Sequence, residues 1–576
     1  MKSIIKNTVR FSLLVAISAA AVSCESFLKE KSYDFVQPDS IPDSEKGAEL
    51  FMIGCYNEVI AMFNSNTFPM TWLYDEDYLT GPSWAFGYLG AGNYLNDGYI
   101  PNYWTGLYTM IHRCNFSLYK IGEMQNLSDE SRAYYTGEIK FLKAWSYFML
   151  VRAFGPVPLR KQSISETAER NVPRSSVADV YDYILELLDE AKEDLPKRGG
   201  PGYVEGMPTA GTAAGFKAKV CATMASGAMP SGTKLWVYGG TPYVSNSGTK
   251  AYTDPQKLYY DKEQLAGYDA IDPVKYYRMA YEEAEKIING EYGDYHLDDF
   301  GNIWKRSNAC GPEILWSVRP NASDIRYCEY FSTHICGITQ SASDDRIYNG
   351  MWYGGRDHWY KLAESQDLRV KEGIRHRWKR TWDDTIAQYY PNNQEYNTLV
   401  ENKIPPYDDG EYYVCPQFDV YYLAYPTKYI DRQNNPSDDH GEMFWPMLRT
   451  ADIYLIYAEA YAEVNGTGDG KALAALNAVR DRSNASDYSL SGVGSVADIV
   501  DFRSTVLRER ALELFCEGDR RWDLVRWGVF VPVMSAIGED EIGVNKLRYD
   551  RHKLFPIPPS EMDSNTAITE NNPGWD

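Results

Sequence analysis

Hydrophobic positions recur with a helical period over much of the chain, and their spacing predicts a mostly α-helical protein. The first amphipathic stretch runs from about Lys46 to Phe63, the next from Asn102 to Gly122, and a third from Ser128 to Phe154. In the third, Leu142, Trp145 and Met149 line one face, Phe141 and Phe148 widen it, and Gly155-Pro156 stops it. Val177 to Leu195 and Thr209 to Gly227 supply two more helices. From residue 230 to 445 the texture changes to Gly, Pro, Tyr, Asp and Asn, interrupted by one helix at Pro273 to Asn289 and a few short strands. Loops of that extent are usually functional or disordered, and the aromatic density argues against disorder. Helical order resumes at Thr450, with Tyr454, Tyr457, Ala458 and Tyr461 on one face. A turn at Gly466 to Gly470 leads to Ala472, Leu476 and Val479 on the next helix. A further pair covers Phe502 to Cys516 and Asp519 to Trp527. Helix–turn–helix units at both ends predict tetratricopeptide-like pairs in a right-handed solenoid, with a loop-rich middle laid across it.

The extreme N-terminus has a different pattern. Lys2, Lys6 and Arg10 precede an apolar run from Phe11 to Val22, too short to span a bilayer and typical of a secretory signal. Ala21-Val22-Ser23-Cys24 resembles a bacterial lipobox, although Ala21 stands where leucine is usual. That resemblance implies cleavage after residue 23 and a lipidated Cys24. The remainder divides into a helical region (24–230), an irregular aromatic region (231–445) and a second helical region (446–576), expected to fold as one compact unit.

The formal charge of −22 repels phosphate backbones and argues against nucleic-acid binding. With 47 tyrosines and 15 tryptophans, the chain is rich in flat apolar faces with hydrogen-bonding edges, which suit both helix packing and sugar rings. Besides Cys24 there are eight cysteines and no C-x-x-C pair, so neither zinc nor a redox motif is signalled. Cys310, Cys328 and Cys336 are close enough in sequence to pair locally in a compartment that permits disulfides, and buried free thiols fit equally well.

The stretch Leu507-Arg-Glu-Arg-Ala-Leu-Glu-Leu-Phe-Cys-Glu-Gly-Asp-Arg-Arg-Trp-Asp-Leu-Val-Arg-Trp-Gly528 closely resembles the signature of the SusD/RagB family. Residues 451–465 with 472–482, residues 141–159, and Leu554–Glu561 with Asn572–Trp575 agree with it in the family's order. The resemblance implies a lipoprotein on the outer face of the outer membrane that binds oligo- or polysaccharide, occasionally peptide. It further implies that the protein caps a TonB-dependent SusC-like transporter and is not an enzyme. A peptide ligand and a surface glycoside hydrolase are the alternatives; no His-Glu-x-x-His or Gly-x-Ser-x-Gly motif supports catalysis, while a carboxylate pair cannot be picked from 80 acidic residues.

The signature's charges read as a structural ion network, with Glu517–Arg521 and Asp523–Arg526 as helical pairs and Gly518 as the break. Binding is expected instead at residues 68–104, where eleven of 37 positions are aromatic and glycines interrupt any single amphipathic face. Trp72, Trp84, Tyr88 and Tyr94 are the candidate stacking rings there. Asp75 and Asn93, with Asp77 and Asn96 beside them, are the candidates for hydroxyl groups. A second wall is expected at Arg346, Trp352 and Tyr353, in a loop running from Asp344 to Trp359. The acidic runs Asp408–Glu411 and Asp438–Glu442 do not fit a calcium loop, and Gly466–Lys471 lacks phosphate-loop spacing, so no cofactor is expected and a bound calcium ion is not signalled.

Overall fold

The computed structural model describes residues 41–339, 346–380, 383–392, 415–431, 440–492 and 495–575. Cys24 and its signal, Asp344 and Asp345, Asp408–Glu411, Asp438 and Asp439 lie outside the described residues.

Among the described residues, long helices form a continuous stack. The first α-helices among the described residues are α1 (Glu45–Asn64), the short α2 (Thr67–Leu73) and α3 (Ser83–Gly90), and α4 (Tyr99–Glu123). After them come α5 (Asp129–Phe154), α6 (Val177–Asp194), α7 (Ala210–Ala228) and α8 (Pro273–Ile288). Short polar caps fix the starts: Ser128, Ser176 and Thr209 each accept from a backbone N–H three residues on, and Asp272 accepts from Val274 and Lys275. Gly155, at φ +69°, ends α5 where a side chain would be strained.

α1 packs on α4, α4 on α5, α5 on α6, α6 on α7 and α7 on α8. The next partner of α8 comes from far along the chain, after a small helix α9 (Phe331–Cys336): it is α10 (Thr450–Asn465). α11 (Lys471–Arg482) and α12 (Ile499–Glu513) then pack on α10, and α13 (Arg520–Arg526) closes the signature. The helical scaffold is therefore built from both chain ends, as the hydrophobic pattern predicts.

Short strands tie the middle to this scaffold. β1 (Leu79–Thr80) pairs with β3 (Gly354–Gly355), and β2 (Ile314–Val318) pairs antiparallel with β4 (Trp445–Arg449). An aromatic cluster welds the layers: Phe68 stacks on Trp72 at 4.8 Å, and Phe331 meets Trp445 edge-on at 5.0 Å. Trp145 of α5 reaches both Phe68 (5.3 Å) and Trp316 of β2 (5.8 Å). Such interlocked rings add edge-to-face attraction to the burial of large apolar area.

The signature's charges are nearly all buried and paired. Arg510 bridges Asp452 and Asp523, Arg449 joins Glu513 and Glu517, and Arg369 joins Asp367 and Glu509. Asp523–Arg526 forms at 2.9 Å. Glu517–Arg521 does not: Gly518, at φ +89°, reverses the chain between them. Glu517 pairs with Arg449 and Lys428 instead, and Arg521 with Asp75. A Cβ at Gly518 would sit 2.8 Å from Cβ of Trp72, which adds a packing reason for glycine there. All eight cysteines in the described residues are free thiols.

Candidate functional site

The segment Tyr74–Thr80 is held by the C-terminal region from several sides. Asp75 is fully buried, accepts from Tyr94 and Arg521, and receives Arg548 Nε at 2.9 Å. Burial alone would raise the Asp75 carboxyl; Arg548 and Arg521 outweigh it and hold it below its ordinary value. Asp77 takes a two-pronged bond from Arg520 at 2.8 and 2.7 Å. Lys546 donates to the carbonyls of Glu76 (3.1 Å) and Leu79 (2.9 Å), and Thr80 to Asp540 (2.6 Å). Removing one partner of such a buried pair leaves a charge without compensation, so this stretch is a rigid base for α3, the next helix along the chain.

The base delivers α3 against a second segment. The β1–β3 pairing sets Leu79 opposite Gly355 and Thr80 opposite Gly354. A Cβ at Gly81 would lie 2.7 Å from the Trp352 carbonyl oxygen, so only glycine permits this approach. On α3, Trp84 and Tyr88 stand out at 63% and 56% exposure, four residues apart, with Gly87 kinking the helix at φ +66°. The backbone at Met351 and Trp352 is pinned to α9 by bonds to the Thr333 and His334 carbonyls, at 3.0 and 2.7 Å.

These connections assemble a row of rings from three distant parts of the chain. Trp84 meets Trp352 edge-on at 5.2 Å; Trp352 stacks on His334 at 4.4 Å and 22°. His334 continues to Tyr330 at 6.3 Å, and Tyr330 to His440 at 5.2 Å. Trp352, His334, Tyr330 and His440 are half-buried, so the row is a supported shelf whose most exposed ring is Trp84; Tyr88 is exposed on the same short helix, beyond the Gly87 kink. Burial pushes the His334 imidazole down to about 4, leaving it neutral at physiological pH. Asn93 and Asn96 lie nearby in sequence, exposed and bonded to each other at 2.9 Å. The arrangement offers an exposed indole face on a supported row of rings.

Several expected site residues are elsewhere. Trp72, Tyr94 and Tyr353 are 3%, 1% and 2% exposed and cannot present a face to a ligand. Trp72 fills the aromatic cluster, with Nε1 donating to Tyr103 at 3.1 Å. Tyr94 sits between Trp575 and Phe555 and donates to Asp75, and Tyr353 bonds Tyr74. Asp75 and Asp77 are consumed by arginines. Each is polar at one end and ringed by apolar groups, a combination that serves a satisfied core as readily as a binding face. In the second wall, Arg346 is exposed on a short strand beside Lys379, while Arg356 and Trp359 are buried, the former paired with Glu541 at 2.7 Å and the latter stacked on Phe515. Tyr330, His334 and His440 are ring-bearing members of the shelf that the sequence does not single out. Tyr330 and His334 share a helical face at i, i+4, which is the one signal that could have marked them.

Two family models match the chain: one described as the SusD family over residues 339–575, and one described as starch-binding, associating with the outer membrane, over residues 27–221. The chain belongs to the SusD/RagB family. SusD-like protein P2 of Formosa agariphila is 23% identical over 83% of this chain and 81% of its own. Among solved structures, a SusD homolog from Bacteroides thetaiotaomicron superposes with a TM-score of 0.72 at 21% identity, covering 93% of this chain and 98% of its own. The surface glycan-binding protein A of Bacteroides uniformis superposes at 0.64 and 18% identity, covering 92% and 99%. At these identities the structural likeness is one of fold. No helix among the described residues is long and apolar enough to cross a membrane.

Proposed function

We propose that this SusD/RagB protein is a cell-surface lipoprotein, anchored through Cys24 to the outer membrane, that captures oligo- or polysaccharide and passes it to a TonB-dependent SusC-like transporter without cleaving it. The observation that carries the binding step is the row of rings headed by Trp84, which with Tyr88 on the same short helix is the most exposed aromatic of the region first singled out in the sequence. A pyranose has an apolar C–H face and a hydroxyl rim; indole and phenol faces match the first, and Asn93, Asn96 and Arg346 can serve the second. The rigid base under α3 limits the ordering cost of capture. The family match and the glycan-binding name of a structural relative support the same reading.

Affinity electrophoresis through gels containing a panel of polysaccharides, starch and laminarin first, tests it. Retardation in at least one glycan gel with no release of reducing ends is the expected result. Free migration in every gel, or cleavage that scales with protein concentration, rejects it.

A further inference from the structure

The packing of α1 on α4 brings two cysteines face to face. The helices run antiparallel, and their contacts follow in order. Phe51 meets Phe116 edge-on at 6.1 Å and its carbonyl accepts from Ser117 Oγ at 3.1 Å; the Gly54 carbonyl accepts from Arg113 at 3.1 Å; Met62 lies over Gly106. The approach is close, because a Cβ at Gly106 would overlap Met62 Sδ. In that register Cys55 of α1 falls opposite Cys114 of α4, and both are fully buried. Cys55 donates to Ser117 Oγ at 3.5 Å, and Ser117 stands one turn beyond Cys114 on the same face. The two thiols are also hydrogen-bond partners, a contact that holds Cys55 below its ordinary value, whereas burial leaves Cys114 well above its own.

The structure shows the pair as free thiols, the reduced state. The three cysteines nearest one another in sequence are directed elsewhere: Cys310 accepts from Arg319, while Cys328 and Cys336 donate to the carbonyls of Ile325 and Pro426. Residues 56–113, between Cys55 and Cys114, hold α2, β1 and α3, and with them the rigid base, Trp84 and Tyr88. A link at the two ends of this segment closes a loop around the first wall of the shelf and removes conformations from the unfolded chain.

We propose that Cys55 and Cys114 form a disulfide that staples α1 to α4 in the exported protein. The proposal rests on the cell-surface location inferred above, because disulfides persist in oxidising compartments. The oxidant is itself a disulfide, reacting by thiol–disulfide exchange. One cysteine, as thiolate, attacks a sulfur of that disulfide and expels a thiolate; the other, as thiolate, attacks the first cysteine's sulfur in the mixed disulfide and expels the second. The pair gives up two protons and two electrons, and the oxidant leaves as two thiols. The exchange precedes the closing of α1 on α4, since neither thiol is exposed afterwards.

The test exports the full mature chain, with Cys24→Ser to remove the lipidation site, to an oxidising periplasm behind a heterologous signal, so the outcome does not depend on the native one. Alkylation under denaturing conditions and digestion without reduction are followed by peptide mass mapping. The expected result is a peptide pair joined through Cys55 and Cys114, two hydrogens lighter than its separate parts, as the dominant form of both. Thermal unfolding with and without a phosphine reductant should show a loss of about 3 °C on reduction for wild type and none for the Cys55→Ala, Cys114→Ala double variant. Alkylation of both cysteines in the folded, exported protein overturns the inference. So does a bond from either one to another cysteine, or a wild-type midpoint that reductant leaves unmoved. Glycan retardation is read separately, so a failed staple and a failed glycan assignment give different results.

Discussion

Truncating Trp84 to alanine removes the most exposed face of the shelf, and its cost can be worked from the structure. An indole side chain offers on the order of 250 Å²; at 63% exposure, about 160 Å² of it is open to a ligand. One sugar stacked on one face would cover about half of that, ~80 Å², and at ~25 cal/mol per Å² this stabilises the complex by about 2 kcal/mol. The dissociation constant should therefore rise about 30-fold. The fold should lose little, since the edge-on contact with Trp352 contributes only ~0.5–1.5 kcal/mol. Isothermal titration with the retained oligosaccharide measures the first quantity, and circular dichroism with thermal unfolding checks the second. Trp352→Ala should differ in kind: it also strips the stacked support from His334 and so reduces both binding and stability. Wild-type affinity in a folded Trp84→Ala, Tyr88→Ala double variant would refute the reasoning.

The base beneath the shelf gives further expectations. Arg521→Met leaves Asp75 buried with half of its compensation and should destabilise the protein by ~3–5 kcal/mol in denaturant titration; a loss under about 1 kcal/mol would mean the pair is dispensable. Gly81→Val should fold yet lose glycan retardation, because the added side chain pushes α3 away from Trp352; normal retardation would show that the close approach is not required. Glu76 is pushed up to about 8, first by burial and then by the Asp77 charge, and its Oε1 has no hydrogen-bond partner among the described residues. Between its unfolded value near 4.5 and about 8, the unfolded chain ionises at this position while the native state stays neutral, so wild type is penalised increasingly as pH rises through that window. Glu76→Gln should accordingly gain little thermal stability at pH 5 and most at pH 8; a constant difference would contradict the assignment.

The scaffold was legible because period and punctuation agree with tertiary structure. Ser128, Ser176, Thr209 and Asp272 cap helices where the hydrophobic pattern starts them, and Gly155 ends one where the pattern stops. The signature's buried ion network could be expected as a class, but not its partners: Arg521 reaches Asp75, 446 positions away, because Gly518 turns the chain. The site was legible only in part for the same reason. Aromatic residues in a glycine-broken stretch are ambiguous between core and surface. Trp72 and Tyr94 fell to the core because Tyr103 and Asp75 satisfy their polar atoms there, whereas Trp84, in edge-on contact with Trp352, stays 63% exposed. The meeting of Trp84 with Trp352 depends on a two-residue strand pair and one glycine contact, neither of which has a periodicity to read. Glycines break any amphipathic face around Ser83–Gly90, yet these residues form a kinked helix because Pro82 opens it and only Gly87 leaves helical geometry.

A crystal structure of the protein with the oligosaccharide it retains examines the functional reading most directly. A sugar ring should lie parallel to the indole of Trp84, within van der Waals contact, with its neighbours running toward Tyr88 or along Trp352. A glycan seated on a surface that includes neither tryptophan would contradict it.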